Sequence, residues 1–237
     1  DCVKLAEKLD APVACGYQHN DSFPGKHPLA VGPLGYNGSK AAMEIISKAD
    51  VVLALGTRLN PFSTLPGYGI DYWPKEASII QVDINADRIG LTKKVSVGIC
   101  GDAKLVAQQI LSKLDSKAGD IGREDRKSLI HQTKSAWLQT LTSLDHEEDD
   151  EGTTWNKDSR ERDPDRMSPR MAWRAIQAGL PEDAIISSDI GNNCAIGNAY
   201  PTFEKGRKYL APGLFGPCGY GFPSVLGAKI GCPDTPV

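Results

Sequence analysis

The sequence predicts an α/β fold: a doubly wound, parallel-sheet central domain followed by the truncated start of a second α/β domain. Three observations carry this. Over residues 1–120, short apolar runs that stop at Gly or Asp alternate with stretches of helical periodicity. Residues 121–167 interrupt that rhythm with a long helix and an acidic block. From residue 168 to 237 the alternation of helix and strand resumes. A chain of 237 residues is long enough for two modest domains and for a substantial buried core.

Val3 to Leu9 reads as the end of an amphipathic helix and Pro12 to Cys15 as a short buried strand. A Gly-, Pro- and His-rich stretch then reads as one long loop to Gly38. Ser39 is an N-cap for a helix whose stripe is Ala42, Ile45, Ile46 and Ala49. Val51 to Leu55 is a continuous apolar run stopping at Gly56, the pattern of a parallel strand covered on both faces. Ser78 to Val82, ending at Asp83, is a second. Asp102 caps a helix with Ala103, Ala107, Ile110, Leu111 and Leu114 on one side.

Arg123 to Leu144 reads as a helix with Ile130, Trp137, Leu141 and Leu144 aligned. Asp145 to Arg166 holds ten acidic and four basic residues, net −6, so the rest of the chain is +3. Such a block reads as a solvated connector rather than a metal site. Ser168-Pro169 opens the second unit as N-cap and first helical residue, with Trp173, Ile176 and Leu180 as the apolar face. Ala184 to Ser188 reads as a strand, Gly219 to Gly231 as a helix, and Thr235 to Val237 as the start of a further strand. Position 1 is not methionine, and the chain stops on that strand signal, so an internal piece of a longer protein is expected.

A net charge of −3 argues against a nucleic-acid footprint. No apolar run reaches the roughly 18 residues of a membrane span. The opening DCVKLAEKLD lacks a signal peptide's pattern. The six cysteines form no CxxC pair, which fits reduced thiols in a cytoplasmic protein.

Ligands of open α/β sheets bind beyond the carboxyl ends of strands. Three places qualify: Gly56-Thr-Arg58, Asp83-Ile-Asn85 and Asp189-Ile-Gly-Asn-Asn193. The first two lack the three-glycine dinucleotide fingerprint, and Arg58 reads as a loop anchor. At the third, Gly191, Asn192 and Asn193 open a helix whose free N–H groups and positive dipole end suit phosphate, although plain turn chemistry explains them equally. Gly213 to Pro223 packs four glycines and two prolines into eleven residues. Such a segment is either a flexible loop or a place where a flat ligand presses on bare backbone. Cys218 within it has no histidine partner in sequence reach. His19, His27, His131 and His146 form no constellation.

Taken together, these motifs resemble the thiamine-diphosphate enzymes of the acetohydroxyacid synthase and pyruvate oxidase superfamily. Ala49 to Arg58 and Ile80 to Asn85 are similar to strand ends of its central domain. Asp189-Ile-Gly-Asn192, Gly216-Pro-Cys-Gly-Tyr-Gly-Phe-Pro223 and Gly227-Ala-Lys229 stand in the order of its diphosphate-binding domain. A finer likeness, to an acyltransferase branch, rests on Lys134-Ser-Ala-Trp137, Asp145-His-Glu-Glu-Asp-Asp150, Gly152-Thr-Thr-Trp155-Asn156, Met167 to Arg174 and Leu214 to Cys218.

The resemblance implies thiamine diphosphate and Mg2+ as cofactors and Gly191, Asn192, Asn193, Gly216, Pro217 and Cys218 as the cofactor-binding residues. It implies that main chain at Gly216 accepts from the aminopyrimidine amine and that main chain at Cys218 donates to a ring nitrogen. The side chain at the Cys218 position is usually a larger one that props the bent cofactor, and cysteine departs from that. The Gly-Asp-Gly metal motif and the activating glutamate do not occur in these residues, so no metal ligand or catalytic acid is assigned here. Small-molecule substrates, phosphate and a sulfonate among them, are implied, with Lys205, Arg207 and Lys208 as cations by composition only. A homodimer or homotetramer is implied for the full-length protein. Two other readings stand beside this one: a carboligase such as an acetolactate synthase acting on a 2-oxo acid, and a nucleotide- or flavin-binding module without catalysis.

Overall fold

In the computed structural model, residues 1–114, 120–146, 169–213 and 215–237 are described, the side chains of 144–146 excepted. Among the described residues the architecture is α/β, with every strand pair parallel. Helix α1 (Cys2–Leu9) buries Leu5 and Ala6 and ends at Asp10 in the left-handed conformation. Strand β1 (Val13–Cys15) pairs with β2 (Ala30–Pro33). The glycine-rich stretch before Gly38 is therefore not one long loop. Ala30-Val31 is buried and supplies a strand, which Gly32 and Pro33 disguise in the sequence.

Ser39 caps α2 (Lys40–Ile46), its hydroxyl accepting from the Ala42 N–H at 3.2 Å. The helix ends before Ala49, so the expected stripe shortens to Ala42, Ile45 and Ile46. Helix α2 packs on β2 and on the later long helix. Their shared core holds Ala6, Cys15, Phe23, Val31, Met43, Tyr72 and Ile130.

Strands β3 (Val51–Leu55), β4 (Ser78–Asp83) and β5 (Val97–Cys100) form a three-stranded sheet in sequence order. The full cover expected of β3 is not met: Val51 is 53% exposed, while Ala54 on the same strand is buried. Helix α3 (Ala103–Lys113) is capped by Asp102, whose carboxylate accepts from the Leu105 N–H at 2.9 Å. Ala107 is fully buried on its inner side. Helix α4 (Arg123–His146) buries Ile130, and Trp137 meets Tyr68 edge to face.

The acidic block beyond α4, Gly152 to Asn156 and the cap residue Ser168 lie outside the described residues. Helix α5 (Pro169–Gly179) has no fully buried residue; of its predicted face Trp173 is half-buried against Gly197, while Ile176 is 49% exposed. The predicted strand over 184–188 contracts to β6 (Ile186–Ser187), paired with β7 (Tyr209–Leu210). Helix α6 (Asn192–Ala199) buries Cys194, Ala195, Gly197 and Asn198. Helix α7 (Gly221–Gly231) packs against β6. Thr235 to Val237 form no strand; a single ladder-like bond, Ile185 N–H to Pro236 C=O at 2.8 Å, replaces it.

The loop of residues 16–27, leaving β1, joins the two halves. Gln18 donates its main-chain N–H to Asn198 Oδ1 and its amide to Cys194 Sγ. Asn20 Nδ2 donates to Pro201 C=O at 2.9 Å. The buried Asp21 carboxylate accepts from the main-chain N–H groups of Lys208 and Tyr209 at 2.8 and 3.1 Å. Among the described residues no helix is long and apolar enough to cross a membrane.

Candidate cofactor site

Strand β6 stops at Ser187 because the chain must turn there: Ser188 is buried, and Asp189 begins the turn into α6. Gly191 is the N-cap, and its carbonyl accepts from Cys194 N–H at 3.1 Å. Asn192 and Asn193 are the first helical residues, both exposed. Their N–H groups have no acceptor within the helix, as in any first turn. Asn193 turns its amide back, donating to Asp189 C=O at 3.2 Å and to Ser188 Oγ at 3.5 Å. Its side chain thus pins the turn, and Asn192 is the asparagine left facing outward.

The glycine-rich segment, thirty residues on, folds against this same turn. Asp189 Oδ1 accepts from its neighbour Ile190 N–H at 2.8 Å and from Gly219 N–H at 3.0 Å. Oδ2 accepts from Gly219 N–H at 2.9 Å and Gly221 N–H at 3.3 Å. The Ile190 N–H, followed by those of the glycine segment, holds the Asp189 carboxyl below the ordinary carboxylate value against a desolvation that pulls upward. The Ile190 side chain lies under Gly216, where a Cβ would stand 3.2 Å from Cδ1. Ser187 and Ser224 hydroxyls meet at 2.6 Å and tie β6 to α7.

Gly191, Asn192 and Asn193 are therefore neighbours of Gly216, Pro217 and Cys218, joined through Asp189 and Ile190. Cys218 is exposed and carries no disulfide. Gly219 has a φ of +87° and nothing within 4 Å of where a Cβ would point. That open space beside bare backbone fits the edge of a flat ring and main-chain recognition. The cradle, with a helix start beside it, fits thiamine diphosphate. Of the predicted cations, Lys208 is committed to structure, its ammonium donating to Asp183 C=O at 2.6 Å. Lys205 and Arg207 are exposed.

The first two strand ends are occupied differently. Gln81, 1% exposed, donates to Thr57 C=O at 3.0 Å and Arg88 C=O at 3.2 Å, and accepts from Gly90 N–H at 2.8 Å. Gly56 is accounted for by Ala103, whose Cβ would sit 3.3 Å from its own. Among the described residues no group of three His, Cys, Asp or Glu could hold a metal ion. His27 pairs with Glu7 at 3.3 Å, and the acidic block read as a connector lies outside the described residues.

In the sequence Asp189 reads as the first residue of a candidate strand end, with no role for its own side chain, and the 16–27 loop is not singled out. For Asp189 the signal was available: an acid directly after a strand, next to Gly, with a glycine-rich segment downstream. For Gln18, Asn20 and Asp21 no local signal existed, because their partners lie about 180 residues away.

Two models of thiamine-dependent catalysts match this chain and together span more than half of it, so the chain belongs to the thiamine pyrophosphate enzyme family. Residues 1–110 match the model of "thiamine pyrophosphate enzyme, central domain" and residues 189–237 that of "thiamine pyrophosphate enzyme, C-terminal TPP binding domain". The chain is 80% identical, over 100% of its length and 40% of the relative's, to a probable sulfoacetaldehyde acetyltransferase of Rhizobium meliloti (strain 1021). It is 77% identical, over 99% of its length and 39% of the relative's, to the sulfoacetaldehyde acetyltransferase of Roseovarius nubinhibens. A probable acetolactate synthase large subunit of Methanococcus aeolicus is 29% identical over 100% of the chain and 38% of its own length. The chain thus spans about 40% of the length of these curated relatives.

Proposed function

We propose that the protein carrying this chain is a thiamine-diphosphate-dependent acyltransferase that converts sulfoacetaldehyde and phosphate into acetyl phosphate and sulfite. The observation that carries this reading is the gap in likeness: 80% identity to a relative of that name against 29% to an acetolactate synthase, each across the whole chain. The atoms balance without an outside oxidant. The aldehyde carbon gives up its hydrogen as a proton, the carbon–sulfur bond breaks and sulfite leaves with its electron pair, the methylene carbon gains a proton to become methyl, and the former aldehyde carbon, now at the acyl level, is taken by phosphate oxygen.

Bound thiamine diphosphate supplies the nucleophilic carbon and the electron sink for this chemistry. The chain's own residues bind and orient. Gly191, Asn192 and Asn193 present the start of α6 to the diphosphate, where a helix dipole favours negative charge. The Gly216 carbonyl and the Cys218 N–H serve the aminopyrimidine, with Pro217 fixing the backbone between them. The short Cys218 side chain leaves the propping of the ring to other groups. Mg2+ is proposed as the counter-ion of the diphosphate, with ligands drawn from other parts of the full-length protein. We further assign the protein to the cytoplasm, as a homodimer or homotetramer active in sulfonate metabolism, with neither nucleic acid nor membrane as partner. Residues 1–120, 121–167 and 168–237 are proposed as central domain, connector and start of the cofactor-binding domain.

The test is an assay of the full-length protein with thiamine diphosphate, Mg2+, sulfoacetaldehyde and phosphate, reading sulfite and acetyl phosphate together. Both products in equal amounts are expected. Neither product, with turnover of pyruvate instead, would replace this reading by the carboligase one. Bound flavin or adenine nucleotide without turnover would replace it by the nucleotide-binding one.

A further inference from the structure

A segment rich in glycine loses more conformational freedom on ordering than any other, so something must hold it in one shape. Residues 215–221 have little packing of their own. Phe215 is 92% exposed, and Gly219 has no neighbour within 4 Å of a Cβ position. The segment is tied at Gly219 and Gly221, whose N–H groups both donate to the Asp189 carboxylate. Asp189 itself is oriented by Ile190 N–H at 2.8 Å and stands one residue beyond buried Ser188. Hydrogen bonds to a carboxylate are the stronger kind, and two oxygens accepting from two donors fix both position and direction.

We propose that Asp189 is the positioning residue of the cofactor seat, its carboxylate holding the main chain of residues 216–221 in register with the start of α6. This rests on the reading of that seat as the place of thiamine diphosphate. Asp189 acts through the backbone it anchors: it sets where the Gly216 carbonyl and Cys218 N–H stand before the cofactor arrives. The entropy of ordering the glycines is then met by the protein's own fold and not by binding energy.

The experiment compares Asp189→Asn and Asp189→Ala with the wild type in the full-length protein. Asparagine keeps one acceptor oxygen and the side-chain volume; alanine keeps neither. Thiamine diphosphate affinity in the presence of Mg2+ is expected to fall roughly tenfold for Asn and roughly a hundredfold for Ala. At saturating cofactor kcat is expected to fall far less than the affinity, because bound cofactor re-orders the segment, and the unfolding midpoint is expected to fall less than in Asp21→Ala, whose carboxylate is the more buried. In the cofactor-free protein, amide hydrogen exchange is expected to speed up in peptides covering 216–222 and to stay unchanged in β3 and β4. Wild-type affinity and wild-type exchange in Asp189→Ala would overturn the positioning role. So would parallel losses of affinity, kcat and unfolding midpoint, which mark a merely structural residue. A wild-type protein that binds no thiamine diphosphate would instead overturn the reading of the seat, and the positioning role would fall with it.

Discussion

Gly35 and Gly219 share a left-handed backbone, with φ of +87° at each, yet they are glycine for opposite reasons. At Gly35 a Cβ would stand 1.9 Å from the Phe62 carbonyl oxygen, so the chain's own packing forbids a side chain. At Gly219 it would point into open space. The same contrast separates the halves. The first half buries Leu5, Val31, Met43, Ala54, Tyr72 and Val82 among its own elements. The second half buries Ile185, Cys194, Phe203 and Tyr209, but its helices α5 and α7 hold no fully buried residue, and Phe222, Leu226 and Ile230 line an exposed side of α7. A residue whose type is explained by its neighbours reports on folding. A residue whose type is not so explained reports on what the fold is for.

Gly35→Ala sharpens this most. It should cost about 3 kcal/mol or more, since the backbone of Phe62 must move, and urea unfolding would measure it. Asp21→Ala comes next. Asp21 is 7% exposed and serves two main-chain donors of the second half, so its loss should cost about 2 to 3 kcal/mol. Hydrogen exchange should rise over 192–210 and stay flat in β3–β4; a rise confined to the first half would break the comparison. Gly219→Ala should cost only about 1 kcal/mol of stability, from backbone strain. Its larger effect should be on thiamine diphosphate affinity, and calorimetric titration beside thermal unfolding separates the two.

The smallest effect is at Tyr72, whose hydroxyl donates to Ser63 C=O at 2.9 Å. Tyr72→Phe should lose about 1 kcal/mol. Burial pushes this phenol from 10.0 up to about 12. The unfolded chain therefore ionises first, and the contribution is full below pH 10 and lost as the pH rises toward about 12. Stability measured at pH 8 and pH 11 should fall less in Tyr72→Phe than in wild type.

Much of this was legible from the chain itself. Val51 to Leu55 announced its strand because an uninterrupted apolar run has few other uses in an α/β protein, and Ser78 to Val82 did so despite Gln81, through Ile79, Ile80 and Val82. Ser39 and Asp102 announced their helices because a cap is a local event, satisfied within three residues. Strand β2 was hidden because Gly32 and Pro33 carry the marks of a turn. Trp173, Ile176 and Leu180 spaced a helix correctly, but periodicity does not say whether the face it draws is covered. In the site, the helix start at Asn192 and the bare stretch at Gly216 were visible as chemistry. Their adjacency was implied by the family resemblance alone; the residues by themselves did not show it, because it depends on one carboxylate reaching thirty residues along the chain.

The loop of residues 16–27 has a practical corollary. It crosses between the halves more than a hundred residues ahead, in sequence, of the peptide that links them, and it is anchored by Asn20, Asp21 and the Gly25 N–H, which donates to Phe203 C=O at 2.8 Å. A protease nick placed between residues 147 and 168 should leave two polypeptides that migrate together on gel filtration and separate only in denaturant. Split-protein reporters and segmental isotope labelling both become feasible at that point, because the loop of residues 16–27 ties the halves without a covalent bond.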